Sequence, residues 1–149
     1  MTEQSSVVKT EEFPGMTYTL WENGIHEFAF NPETDGEGDY FFPLLTDILR
    51  NTDPEGVNLY IIDSRHAEGN VSMRNLVRRF RQLDVQIPHR AAGRTAVLQP
   101  PSLMVQLADL LVSTLAPGKD KTRFFGDKRD EAVAWLLEEK RKFEEQRNR

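Results

Sequence analysis

Asp63-Ser64-Arg65-His66 sets a carboxylate, a hydroxyl, a guanidinium and an imidazole side by side. An acid, a hydroxyl and an imidazole are the parts of an activated nucleophile. They follow an apolar run of Val57, Leu59, Tyr60, Ile61 and Ile62. In an open α/β sheet, ligands gather where such strands end. Catalysis needs more than adjacency: the base must reach the nucleophile, and a third group must orient the base. Neighbours in sequence often point apart, and no Gly-x-Ser-x-Gly elbow is present. The segment is therefore expected to be a loop in which Asp63 accepts bonds from backbone N–H groups. Asp63, Ser64, Arg65 and His66, with Ser72 at the far end of the loop, form a candidate ligand or regulatory site. No catalytic residue is assigned, and the chain is not expected to be an enzyme.

Other constellations are thinner. His26, His66 and His89 show no spacing of the His-x-x-x-His kind, so no metal site is expected. Gly36, Gly38 and Gly69 form neither a phosphate loop nor a dinucleotide fingerprint and read as turn residues, so no cofactor is expected. Arg74, Arg78, Arg79 and Arg81 stand close together with no acid among them. Arginine forms bidentate bonds with carboxylates and phosphates. The block is either a solvated helix face or a docking surface. Like charges three and four residues apart on a helix repel, so a face without a use would gain from a glutamate. The stripe is thus expected to meet carboxylates, from the acidic tail or from Glu33, Asp35, Glu37 and Asp39, within this chain or from another copy or an acidic partner.

Composition narrows the classes. A chain of 149 residues suits one domain. It has no cysteine, which excludes disulfides, thiol catalysis and thiolate metal sites and fits a reducing cytoplasm. The first twenty residues hold no apolar run that would make a signal peptide. No stretch is long and apolar enough for a membrane span. Net charge is −5, but residues 1–63 carry 13 acids and 2 bases, while residues 64–94 carry 7 arginines against Glu68 and Asp84. An acidic chain is a poor nucleic-acid binder, whereas a local basic block can dock an acidic partner.

The elements that must hold these residues follow from periodicity. Residues 1–14 are polar and acidic and read as a flexible tail. Residues 17–30 alternate on either side of Asn23-Gly24, a hairpin signal. Phe41, Leu44, Leu45, Ile48 and Leu49 have helical spacing, with Pro43 tolerated in the first turn. Tyr40-Phe41-Phe42 is too many rings for one helix face, so part of it could line a pocket or meet a partner. Residues 57–63 are apolar almost throughout, the pattern of a central strand covered on both faces. Ser72 is a good N-cap for a helix with Met73, Leu76, Val77, Phe80 and Leu83 inward. A short strand at 95–98, an apolar helix at 103–115 and a strand at 122–125 follow. Asp127 then caps a last helix with Ala132, Val133, Leu136, Leu137 and Phe143 inward, fraying over residues 141–149. The predicted order is β-β-α-β-α-β-α-β-α. It implies an α/β fold with a mixed, mostly parallel sheet of four or five strands and four helices.

That order over residues 15–140 resembles the STAS domain and the wider SpoIIAA-like set. Two stretches carry the resemblance. The first is Tyr60-Ile61-Ile62-Asp63-Ser64. The second joins Arg94-Thr95-Ala96-Val97 to Thr122-Arg123-Phe124-Phe125 and Ala132-Val133-Ala134-Trp135-Leu136. The second stretch is closer to bacterial SpoIIAA-like proteins than to the sporulation regulators. The phosphoregulated anti-sigma-factor antagonists have Asp-Ser-Ser-Gly at the strand end, with the second serine phosphorylated. Here Arg65 stands at that position, so the resemblance implies a regulatory or protein-binding role without transferring the switch. The expected function is a cytoplasmic, non-enzymatic module that binds a protein partner or a second copy of itself. The alternative is a carrier of a small apolar ligand held between helices and sheet.

Overall fold

The computed structural model describes residues 6–32, 39–67, 73–99 and 119–148, with backbone alone for 73–77. Two hairpins open it. β1 (Val7–Phe13), β2 (Met16–Trp21) and β3 (Ile25–Phe30) pair antiparallel in succession. Pro14-Gly15 joins the first pair. Gly15 has φ of 82°, which a type II turn requires at its third residue. Glu22-Asn23-Gly24 joins the second, as the Asn-Gly signal predicts. The Gly24 N–H donates to the Trp21 carbonyl at 2.9 Å, and the Ile25 N–H donates to Asn23 Oδ1 at 3.1 Å.

β4 (Val57–Asp63), β5 (Ala92–Leu98) and β6 (Asp120–Gly126) then add in parallel. The six strands lie in chain order, β1-β2-β3-β4-β5-β6. β4 is interior, between two parallel neighbours, as its apolar run predicts. The strand beyond the expected four or five is β1, which lies within the segment read as the tail of residues 1–14. Its sequence conceals it because Val7, Val8, Lys9 and Thr10 are all exposed at the sheet edge, so no buried alternation marks it.

Three helices lie among the described residues: α1 (Phe41–Arg50), α2 (Met73–Gln86) and α3 (Arg129–Arg147). The fourth expected helix, at 103–115, falls outside them. α1 and α2 cover one face of the sheet, packing Phe41, Phe42, Leu45, Leu49 and Leu83 on Met16, Tyr18, Phe28 and Tyr60. α3 covers the other face, setting Ala132 and Leu136 against Ile25, Leu59, Ile61, Ala96 and Leu98. The period of two divides β4 accordingly, with Leu59 and Ile61 toward α3 and Tyr60 and Ile62 toward α1 and α2. Each such side chain withdrawn from water is worth about 1.5–3 kcal/mol.

α3 turns Ala132, Val133 and Leu136 inward as expected, but Leu137 is 39% exposed and the buried stripe continues through Glu139 instead. Offsets of 0, 4 and 7 share one face, and Leu137 turns off it. The N-cap is Lys128, without a side-chain cap bond, and Asp127 contributes only its carbonyl, to the Arg129 N–H. The helix also continues unbroken through Arg147, held by Arg141 bonds to Glu138 and Glu145, where residues 141–149 read as fraying.

Candidate functional site

The end of β4 is salt-linked and hydrogen-bonded to itself. Asp63 is buried, and Arg65 grips its carboxylate with two side-chain bonds, Nε to Oδ1 at 3.0 Å and a terminal nitrogen to Oδ2 at 2.9 Å. The Arg65 backbone N–H adds a third bond to Oδ1 at 3.1 Å, the backbone capping expected of Asp63. Burial pushes the Asp63 carboxyl up, but the Arg65 side-chain and backbone bonds outweigh it and hold the group below the usual carboxylate range. Ser64 turns away from its neighbours. Its N–H at 2.8 Å and its hydroxyl at 3.0 Å both donate to the Leu98 carbonyl, tying the β4 loop to the end of β5. His66 is exposed. The structure thus brings Asp63 and Arg65 together, assigns Ser64 to a structural bond and leaves His66 at the surface; Ser72 lies outside the described residues. Ser64→Ala keeps the backbone bond and loses the hydroxyl bond. It should lower the urea-unfolding free energy by about 1 kcal/mol.

The arginine-rich stretch divides into two sets. Arg90 bridges the end of α2 to β6, bonding Asp84 at 3.0 Å and Asp120 at 2.9 Å. Arg94, buried on β5, faces Glu139 of α3 at 3.4 Å. Arg79 bonds Asp39 at 3.0 Å and lies 4.7 Å over the Phe42 ring, so one member of the stripe meets the acidic loop as expected. Glu33, Asp35 and Glu37 fall outside the described residues. Arg78 and Arg81 are exposed on α2, and Val85, seven residues beyond Arg78, is 80% exposed. The Arg74 side chain is not described. Most of the positive charge in residues 64–94 is therefore spent on the fold, and α2 presents Arg78, Arg81, Gln82 and Val85 outward on one helical face.

A polar cluster that sequence reasoning missed lies on the α1/α2 side of the sheet. Tyr18 O–H and His26 Nδ1 are 2.7 Å apart, and the His26 ring is 5.7 Å from the ring of Tyr60. Burial, with help from Lys9, pulls His26 down to about 4. The imidazole is then neutral, and its tautomer sets which partner donates in the bond to the Tyr18 hydroxyl. Burial first and the Glu11 carboxylate second push Tyr18 up to about 12. Burial also raises the Tyr60 phenol. Its hydroxyl and Asn58 Nδ2 have no hydrogen-bond partner among the described residues. His26 shares an alternating face with Phe28 and Phe30, the one signal that could have marked it as inward. Trp21 and Arg129 converge on Glu27 on the opposite face, with Arg129 stacked 5.3 Å from the Trp21 ring.

Phe41 and Phe42, read as candidates for a pocket, pack edge-on, Phe41 to Phe28 at 4.9 Å and Phe42 to Phe80 at 4.9 Å. Tyr40 is 43% exposed and rests against Phe13. Among the described residues, no three His, Cys, Asp or Glu side chains form a cluster able to hold a metal, and no helix is long and apolar enough to cross a membrane. Compared with family models, curated proteins and solved structures, the chain matches none.

Proposed function

We propose that this chain is a non-enzymatic, STAS-like module that works by binding a protein partner or a second copy of itself. The observation that carries this reading is the outer face of α2. Arg78, Arg81, Gln82 and Val85 combine two guanidinium groups with an exposed branched apolar residue. That mixture suits an acidic protein surface with an apolar centre, since arginine binds carboxylates bidentately and stacks well. Arg65, Arg79, Arg90 and Arg94 of the same stretch meet carboxylates within the fold.

The carrier reading has less support. It needs the α1 rings to line a cleft, and they pack on one another instead. Its second wall, residues 103–115, lies outside the described residues.

Arg78→Glu with Arg81→Glu tests the module. The double variant should keep its circular dichroism spectrum and Tm. It should lose association that weakens with salt, read by sedimentation and by capture of the partner at low and high ionic strength. Unchanged association at both salt levels would reduce the stripe to a solvated face. Native mass spectrometry that finds a retained apolar ligand would favour the carrier.

A further inference from the structure

We propose that β1 is a self-pairing edge through which two copies of this chain join antiparallel about a twofold axis at Thr10. This deepens the reading of a module that binds itself and uses a surface other than α2. β1 ends the sheet, and among the described residues no strand pairs with its outer side.

The hairpin decides which backbone groups face outward. Phe13 opposes Met16 across a two-residue loop, so that pair is hydrogen-bonded, and bonded pairs alternate along the ladder. Lys9, Glu11 and Phe13 therefore turn their N–H and C=O toward β2. Thr10 and Glu12 turn theirs outward, free to bond a second strand.

Charge selects the register. A twofold axis at Thr10 sets Lys9 opposite Glu11 of the second copy, and Glu11 opposite its Lys9. An axis at Glu11 would set Glu11 against Glu11. Opposite charges across an antiparallel pair stabilise it and like charges destabilise it. In the single chain Lys9 Nζ already bonds Glu11 Oε1 at 3.1 Å, so the charges share one face and pairing closes a ring of alternating sign. Val7 is 50% and Val8 58% exposed, apolar surface that the second strand would cover. The opposite edge of the sheet lacks this property. An axis at Thr122 of β6 would oppose Lys121 to Arg123, and an axis at Arg123 would oppose arginine to itself.

A bulge between Val7 and Lys9 interrupts the β1–β2 ladder. Bulges protect edges from pairing. This one lies at the start of the strand, and the stretch from Lys9 to Phe13 that sets the register is regular.

Sedimentation velocity of the full chain over a concentration series tests the proposal. The wild type should show a concentration-dependent dimer. Lys9→Glu and Glu11→Lys should each weaken it about tenfold or more, because two symmetric pairs change from attraction to repulsion. The K9E/E11K double variant should restore it. Thr10→Pro, which removes an outward N–H, should abolish it and leave the fold intact. A strictly monomeric wild type would overturn the proposal, as would a dimer indifferent to K9E and E11K. A dimer lost in R78E/R81E but kept in K9E would also overturn it and assign self-association to α2.

Discussion

Glu139→Ala should destabilise the protein by about 3 kcal/mol, a loss of roughly 10 °C in Tm for a domain of this size. Glu139 projects from α3 onto the sheet and is as buried as Arg94, each with 7% of its side chain exposed. Arg94 also donates to the carbonyls of Gly93 and Lys119, both at 2.9 Å, so it cannot swing out to water without breaking β5–β6 contacts. Removing the carboxylate leaves a guanidinium in the interior with backbone acceptors alone. Lys121 at 3.2 Å and Lys142 at 3.7 Å also lose their anion, but both are more than half exposed and contribute little. The R94M/E139L double variant should recover most of the loss, because a buried ion pair is seldom better than a well-packed apolar pair. Urea unfolding of both variants measures this. A double variant no more stable than E139A would show that Arg94 is needed for its backbone bonds and not for its charge.

Acid should destabilise the fold in a window set by His26. Burial and, secondarily, Lys9 lower its pKa from 6.5 to about 4 in the folded state. The unfolded chain therefore takes up the proton first as pH falls. Stability from the neutral imidazole is complete above pH 6.5 and is lost as pH falls toward 4. The full loss is about 3 kcal/mol. The groups facing His26 are Tyr18, Tyr60 and Lys9, and neither phenol ionises in this range. The depressed carboxyl of Asp63 responds only at lower pH. Denaturant midpoints at pH 7, 5.5 and about 4 should fall steeply in the wild type and much less in His26→Gln. Parallel profiles for the two proteins would exclude His26 as the source.

The parts of the fold legible in sequence are those where burial leaves a period. Residues 57–63 read as central because both faces are covered, and the Asn23-Gly24 hairpin and α1 follow from turn chemistry and helical spacing. β1 was illegible for the opposite reason: an edge strand with one face in solvent carries a tail's composition. The candidate site was legible at Asp63, whose backbone-capping role is seen, but not at Arg94 or Glu139. A buried ion pair joins residues far apart in the chain, and each looks locally like a surface charge. The acidic contact expected of the arginine stripe is seen where Arg79 meets Asp39. Arg90 and Arg94 were not read as paired, because Asp120 and Glu139 lie on other elements.

The chain-order sheet also bears on how the molecule is made. Each strand pairs with its predecessor, so the sheet can be added to in chain order as the chain emerges from its amino end. α1 and α2 arrive in step with the strands they cover. α3, the sole cover among the described residues for Ile25, Leu59, Ile61, Ala96 and Leu98, arrives last. Until that final segment is synthesised, those five side chains lack the cover that α3 gives them. Chains cut short before Arg129 would be nearly complete in strand pairing yet prone to clump, a hazard for quality control that a count of hydrogen bonds would not reveal.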